Sequence, residues 1–446
     1  MSHSILRCCT AVLVVGATAA IPIAASAAGF AVSHQGARGA GHAFAGGAAL
    51  AEDASTIFFN PAGMTRLEGR EFVISLHGND VRMDFTKDSA TDAIGQPLSG
   101  GEGGRIGQLS FIPNAYYHQQ INDQLHFGVG LSVPFGSRTK YDSDSIFRYQ
   151  ALESDLGIIN LAPSIAYKVN DVVSLGLGLN IHYMEISTLS NALDFGAICF
   201  AQVDPTTCSA QGLSPQSADG RVELSGDGMG YGFTAGALFD WGETRLGVNY
   251  RSSVDHDLSG KARFSDVPTL FSTQGLFIDD RITSEFESPD ALSLSIAHQV
   301  SDQITLFGDY TRMGWQSFDE LRVEFDNPNQ PDSVEPINFQ SQDRYSIGLD
   351  YRRSDAWTFR AGIAYDESAA RDRFNRPPRT PDNDRTWLAL GATWQTSESS
   401  EWDFAYVHVM LGDDTPFDRT GGQGDRIVGS YEAAANILSA QYRYRF

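Results

Sequence analysis

Beyond its first 27 residues the chain has no apolar run of eighteen or more, so it holds no transmembrane helix and any membrane span has to be built from strands. Positive charge is scarce as well. Against 55 Asp and Glu stand 32 Lys and Arg, a net charge of −23, which excludes nucleic acid as a partner because phosphates need basic surface. The acidity reads as soluble loops, with a specific cation site as the alternative. Cysteine is nearly absent, with four in 446 residues. The ten His are scattered and none lies near Cys199 or Cys208, so no metal site is expected. There is no Gly-x-Ser-x-Gly, no helical His-x-x-x-His, and no Lys-Ser/Thr behind the glycine-rich N-terminal stretch. Neither enzyme activity nor a cofactor is expected.

The start of the chain carries an export signal: Arg7 is its positive charge, 11–23 its apolar stretch, and Ala25-Ser26-Ala27 its small-residue cleavage site. Residues 1–27 are therefore a signal peptide and the mature chain begins at Ala28. Cys8 and Cys9 leave with the signal, and Cys199 and Cys208 remain in a polar segment of an exported protein. An oxidising compartment favours a disulfide between them, with two free thiols as the alternative.

What the sequence does have is aromatic residues and glycine in alternation: 44 Gly, 27 Phe, 16 Tyr and 6 Trp, at a mean hydropathy of −0.22. Leu125, Phe127, Val129, Leu131 and Val133 alternate with His126, Gly128, Gly130 and Ser132. The same pattern recurs from Val173 to His182 and from Trp357 to Asp366. A period of two places the first set on lipid and the second in a wet lumen. Short polar turns sit between such segments at Asn122-Asp123, Asn170-Asp171, 241–243, Ser301-Asp302, Ser354-Asp355 and 397–400. Six hairpins, a first strand near 71–85 and a last near 430–446 predict an all-β, fourteen-stranded antiparallel transmembrane barrel over 71–446. Long external loops are expected near 86–105, 136–153, 187–220, 265–280, 326–340, 369–384 and 412–429. The strand ending in Tyr442, Tyr444 and Phe446 carries the terminal aromatic that barrel-assembly machinery reads.

Residues 28–70 do not alternate and are too rich in Gly and Ala to face lipid. Ala28-Gly29-Phe30, Gly36, Gly39, Gly41, Ala43, Ala51-Glu52-Asp53-Ala54 and Asn60-Pro61-Ala62-Gly63-Met64 resemble the N-terminal hatch of the FadL/TodX family. Further pieces match in order: Pro113-Asn114, 121–124, Tyr250-Arg251-Ser252, Pro289-Asp290, 357–364 and 381–388. The resemblance implies a monomeric fourteen-stranded barrel plugged by the hatch. Phe30 would lie in the hatch, and Asn60, Pro61 and Ala62 would anchor it, or else touch ligand.

In that family a kink in the third strand opens a side passage, which falls here on Val133-Pro134-Phe135-Gly136. Pro134 and Gly136 are thus the candidate lateral gate, with the start of an external loop as the plainer reading. The resemblance also implies a greasy external groove. Its candidates are Phe195, Ile198, Phe200, Leu270, Phe271, Leu276 and Phe277, which form either a docking patch or small loop cores. Where fatty-acid members carry basic residues, this chain reads 182–185 as His-Tyr-Met-Glu and 338–341 as Asn-Phe-Gln-Ser, which favours a neutral cargo. The expected function is passive uptake of hydrophobic compounds, long-chain fatty acids foremost, with aromatic or alkane hydrocarbons as the variant within the family. A barrel that transports nothing and acts as a structural or receptor protein is the alternative from another class, and a polar-solute porin comes third. Expected partners are the hydrophobic cargo, outer-membrane lipid and lipopolysaccharide, and the assembly machinery.

Overall fold

The computed structural model describes residues 30–412 and 414–446, so the signal peptide and the Ala28-Gly29 start lie outside the described residues. The strands in chain order are β1 (Arg70–Thr91), β2 (Leu109–Gln120), β3 (Leu125–Lys140), β4 (Glu153–Lys168), β5 (Val173–Asp194), β6 (Asp219–Asp240) and β7 (Thr244–Arg251). Next come β8 (Val254–Ser265), β9 (Asp280–Ser288), β10 (Ala291–Ser301), β11 (Ile304–Met313), β12 (Glu320–Phe325), β13 (Ser333–Pro336) and β14 (Gln342–Arg352). The last are β15 (Trp357–Asp366), β16 (Arg385–Ser397), β17 (Ser400–Met410), β18 (Thr415–Thr420) and β19 (Arg426–Arg445).

Fourteen of these close an antiparallel ring, β1 through β7, then β10, β11, β14, β15, β16, β17 and β19. β19 returns to β1 along a ladder from Glu71↔Arg445 to Thr91↔Arg426, so the ring has no open edge. β8, β9, β12, β13 and β18 extend the wall on its outer side.

The two environments set the pattern along each strand. On β5, Leu175, Leu177 and Leu179 are exposed outward, while Ser174, Asn180 and His182 are buried inward. All six polar turns join the strands expected of them. Two are locked by Asx bonds: Asn122 Oδ1 accepts from Gln124 N and Leu125 N, each at 2.9 Å, and Asn170 Oδ1 accepts from Val172 N and Val173 N, each at 2.8 Å.

Strand ends differ from expectation on the outer side. β1, β5 and β6 each run 22 residues, where a membrane crossing needs about 10. The loop expected at 187–220 therefore shrinks to 195–218, and contains helices α4 (Phe195–Gln202) and α5 (Pro205–Ala210), the turns of the N-terminal segment being counted first as α1 (Ala37–Ala40), α2 (Gly47–Leu50) and α3 (Thr56–Phe59). Above the bilayer neither face meets lipid, so alternation fades while the ladder continues.

Residues 30–69 lie inside the ring as α1, α2, α3 and a 3-10 turn at Pro61–Arg66. Lumen-facing glycines make room for them. A Cβ at Gly176 would overlap the backbone of Ala62, one at Gly247 that of Ala48, one at Gly362 that of His42, and one at Gly391 would sit 2.7 Å from Gly41 Cα. These contacts lie on β5, β7, β15 and β16, so the segment spans the lumen from wall to wall.

Candidate functional site

Two anchors hold the inner segment. Asn60 is fully buried; its Nδ2 donates to the carbonyls of Ala48 (2.8 Å) and Ala237 (3.0 Å), and its Oδ1 accepts from Ala62 N (3.1 Å). One side chain thus ties two turns of the segment to β6, with Pro61 starting the 3-10 turn between them. The second anchor is ionic. Arg38 of α1 is buried against Asp403 (3.3 Å), Asp53 (3.6 Å) and Glu401, while Arg443 pairs with Glu71 (2.6 Å) and Glu401 (3.0 Å). Gln441 bridges Asp53 and Asp403 through Nε2 and accepts from Ala37 N.

The wall itself is interrupted beside the segment's first residues. β2 pairs with β3 only from Gln120↔His126 to Ala115↔Leu131, although β2 continues to Leu109 against β1. Beyond Leu131, β3 leaves β2. Its register with β4 shifts between Ser132 and Phe135, because proline has no N–H to give the ladder. The backbone thus freed pairs inward. Val32 N donates to Pro134 O and Gly136 N to Phe30 O, both at 2.8 Å, around an Ala31↔Phe135 bridge. Gln35 Nε2 donates to Val133 O at 2.8 Å. Further out the wall closes again where Lys140 N donates to Ile106 O. Residues 30–32 therefore stopper a window between β2 and β3. Val133, expected on lipid, is instead buried with Val32 and Ile112, since the bulge displaces it from the alternation.

Above the stopper the lumen is apolar. Phe30 is buried among Trp315 (4.8 Å between ring centroids), Phe286 (5.3 Å), Phe318 (6.1 Å) and Phe135 (6.2 Å). Ile158, Met184, Leu258, Ile337 and Phe339 join the cluster. A channel for polar solutes has a polar lining at this height. Beside the cluster lies a cavity of about 120 Å³ between the inner segment and the wall; Val32, Phe44, Phe58, Phe59, Pro134 and Phe135 line it, with Asn249, Arg251, Asp309 and Arg344 opposite. A larger cavity of about 610 Å³ is lined by the turn residues Glu243, Asp302, Gln303 and Asp355 and by Arg38, Arg245 and Arg443, so it opens at the periplasmic end.

The sequence pattern of the outer membrane protein transport family (OMPP1/FadL/TodX) matches residues 18–446. The chain belongs to the FadL/TodX family. A putative outer membrane protein of Neisseria meningitidis serogroup B is 30% identical over 427 residues, covering 90% of this chain and 91% of its own. The long-chain fatty acid transport protein of Escherichia coli O6:H1 is 28% identical over 449 residues, covering 96% and 97%. A solved Pseudomonas aeruginosa FadL homologue superposes with a TM-score of 0.87 at 26% identity, over 94% of this chain and 100% of that one. As a FadL/TodX member the chain is an outer-membrane transport barrel for hydrophobic compounds and not an enzyme.

The loop candidates divide differently in this FadL/TodX barrel. Phe195 and Phe271 are sealed in a small core with Leu213 and Val222, around the bonded sulfurs of Cys199 and Cys208. They do not line a groove. A loop of this length far from the main core has to bury its own apolar groups to hold a shape. Ile198, Phe200, Leu270, Leu276 and Phe277 are its half-buried rim. Replacing both cysteines with Ser should loosen this cap by about 2–3 kcal/mol of local stability, a loop-closure figure. Faster proteolysis at 195–218 with unchanged heat-modifiable gel mobility is the expected readout; equal resistance would mean that packing alone holds the cap.

Met184 and Phe339, at the positions read for a missing base, belong to the aromatic cluster. The residues that sequence reasoning missed are Arg251 and Asn249 on β7, Arg344 on β14, and Trp315 and Phe286 around Phe30. Inward apolar residues on the upper strands were the available signal. An inward arginine carries none until its partners are known.

Proposed function

We propose that this barrel takes up long-chain fatty acids passively and releases them sideways into the membrane through the β2–β3 window. The observation that carries this reading is an apolar lumen ending at a break in the wall, filled by three residues of the chain's own N-terminal segment. Cargo leaving toward the periplasm would pass the charged vestibule and re-enter water. That costs roughly 25 cal/mol per Å² of apolar surface, several kcal/mol for a long acyl chain. Sideways release avoids the cost, but it needs a gap in a ladder that lipid otherwise forbids. Pro134 supplies the gap without stranding a donor, and the backbone around it is satisfied by Phe30 and Val32 while the window is shut. The likeness to a relative named for long-chain fatty acid transport supports this cargo. A neutral hydrocarbon would follow the same path, and the apolar Met184 and Phe339 favour that variant. The barrel acts as a monomer set in outer-membrane lipid and lipopolysaccharide, and is assembled through β19 and Phe446.

Straightening β3 tests the route. In a Pro134→Val, Gly136→Val double variant β3 can re-pair with β2, and fatty-acid uptake into cells should slow by about tenfold, equivalent to ~1.4 kcal/mol on the barrier. Unchanged uptake by a correctly folded double variant rules the window out as the exit.

A further inference from the structure

The external loop between β15 and β16, residues 367–384, crosses the outer mouth of the barrel. β4 is the fourth strand of the ring and β15 the eleventh of fourteen, so the two stand on opposite walls. The middle of the loop reads Arg376-Pro377-Pro378-Arg379. Consecutive prolines fix φ and hold the residue before each of them extended, which makes this stretch a stiff strap. Arg376 ties its near end, donating through Nε to Asp382 O at 2.6 Å and through Nη1 to Pro416 O.

The far end of the strap is held by the opposite wall. Tyr141 OH donates to Pro378 O at 2.6 Å, and Thr139 Oγ1 of β3 donates to Arg379 O at 3.0 Å. The Arg379 guanidinium donates to Ser154 Oγ of β4 (3.2 Å), and to Ser190 O (3.3 Å) and Asn191 Oδ1 (3.1 Å) of β5. Its Nε meets Glu335 of β13 at 3.4 Å. Below the strap, Ala369 and Ala370 of the same loop pack into the aromatic cluster with Trp315 and Phe339, and Gln340 N donates to Ala369 O at 2.8 Å. The strap therefore stands between the outside and the apolar lumen.

The bonds that hold it are detachable. β3, β4 and β5 pair with one another through their own backbones at Thr139, Ser154 and Ser190, so the wall stays zipped when the strap leaves. Glu335 also accepts from Arg419 at 3.2 Å, and release of Arg379 leaves that carboxylate paired. Pro377 and Pro378 have no N–H to anchor them. The hold on the far wall thus falls on Arg379 and on the two carbonyls of residues 378 and 379.

We propose that residues 376–379 are an outer gate, shut in this structure, with Arg379 as its latch, and that the strap swings aside before a hydrophobic cargo enters from outside. This gate lies at the opposite end of the path from the β2–β3 window and does not depend on release through it. The plainer role is a fixed tie that only keeps the loops in shape.

Thiol labelling on whole cells separates the two roles without reference to any cargo. Cys199 and Cys208 are bonded, so Met184→Cys places a free thiol in the aromatic cluster further down β5. A charged methanethiosulfonate added outside should modify it slowly. Adding Arg379→Met should speed labelling by about 10- to 100-fold, the range expected for loss of a charge-assisted contact, and Arg379→Lys should fall between the two. Approach from the periplasm, past the inner segment, is common to all the variants. If Arg379→Met does not reach the membrane, Thr139→Val with Asn191→Ala removes two far-wall partners instead and should also speed labelling. Equal labelling rates in correctly folded barrels assign the strap to the fixed tie and overturn the proposal. A lock completes the test: in a Thr139→Cys, Arg379→Cys double variant, joining the two thiols with a short bis-thiosulfonate should cut fatty-acid uptake by more than ~10-fold until reductant is added, because a covalent link does not open thermally on this timescale. Full uptake with the strap cross-linked would mean that cargo enters elsewhere, and the gate would fall.

Discussion

Oxidising an Ala31→Cys, Phe135→Cys double variant should stop fatty-acid uptake, and reducing it should restore transport. The two residues face each other across the short bridge between the inner segment and β3. The flanking bonds, Val32 N to Pro134 O and Gly136 N to Phe30 O, make them a non-hydrogen-bonded antiparallel pair. Such pairs have Cα atoms about 4.5 Å apart, within the reach of a disulfide. A covalent lock at this point leaves the strands, the Asn60 anchor and the Arg38 network untouched, and blocks only the departure of residues 30–32 from the window. Uptake by the oxidised variant is expected to fall by more than ~10-fold, since a covalent link has no thermal opening on the transport timescale. The wild type with and without reductant controls for the native Cys199–Cys208 bond. Full transport with the engineered bond quantitatively formed would falsify a window opened by these residues.

The second large effect should come from Arg38→Met. Arg38 is buried among Asp53, Glu401 and Asp403, with Glu52 at 3.4 Å. Removing it strips buried Asp53 of its ion-pair partner and leaves Asp403 and Glu401 to Arg360 and Arg443, a defect of about 3–5 kcal/mol by the usual measure for half of a buried ion pair. The strand ladder and the Arg443–Glu71 pair do not depend on Arg38, so the barrel should still fold. The damage falls on the seat of α1. In planar bilayers the wild type should show no steady large conductance, and Arg38→Met should show frequent openings together with a lower thermal denaturation temperature. A variant as silent and as heat-stable as the wild type would mean that the Asn60 anchor holds the segment alone. A steady large conductance from the wild type would contradict a filled lumen altogether.

Reading the chain residue by residue went furthest where one environment acts on one side chain at a time. Leu175, Leu177 and Leu179 meet lipid and Asn180 and His182 meet the lumen, so the alternation that reveals β5 is local. Asn122 and Asn170 build their turns from their own side chains and the next two or three residues, and these hairpins were legible too. Legibility failed where a residue's environment comes from a distant part of the chain. Val133 follows the outward series but is carried inward by a bulge whose freed bonds are met by Phe30 and Val32, about a hundred residues away. Phe195 and Phe271 have the look of a greasy external surface because their burial partner is each other, across two separate loops.

Sequence alone therefore determined that this is an exported, closed, fourteen-stranded barrel with a non-barrel segment at its start. Each of those conclusions follows from periodicity, turn chemistry and composition, which are properties of short stretches. Only the tertiary structure decided which glycines are sockets for that segment, that the break at Pro134 is stoppered by residues 30–32, and that Arg38, Arg344 and Arg443 are each matched by a carboxylate. The reason is that a hydrogen bond or an ion pair is satisfied by whatever the fold brings within about 3–4 Å. In a barrel that closes the first strand on the last, those partners lie hundreds of residues away.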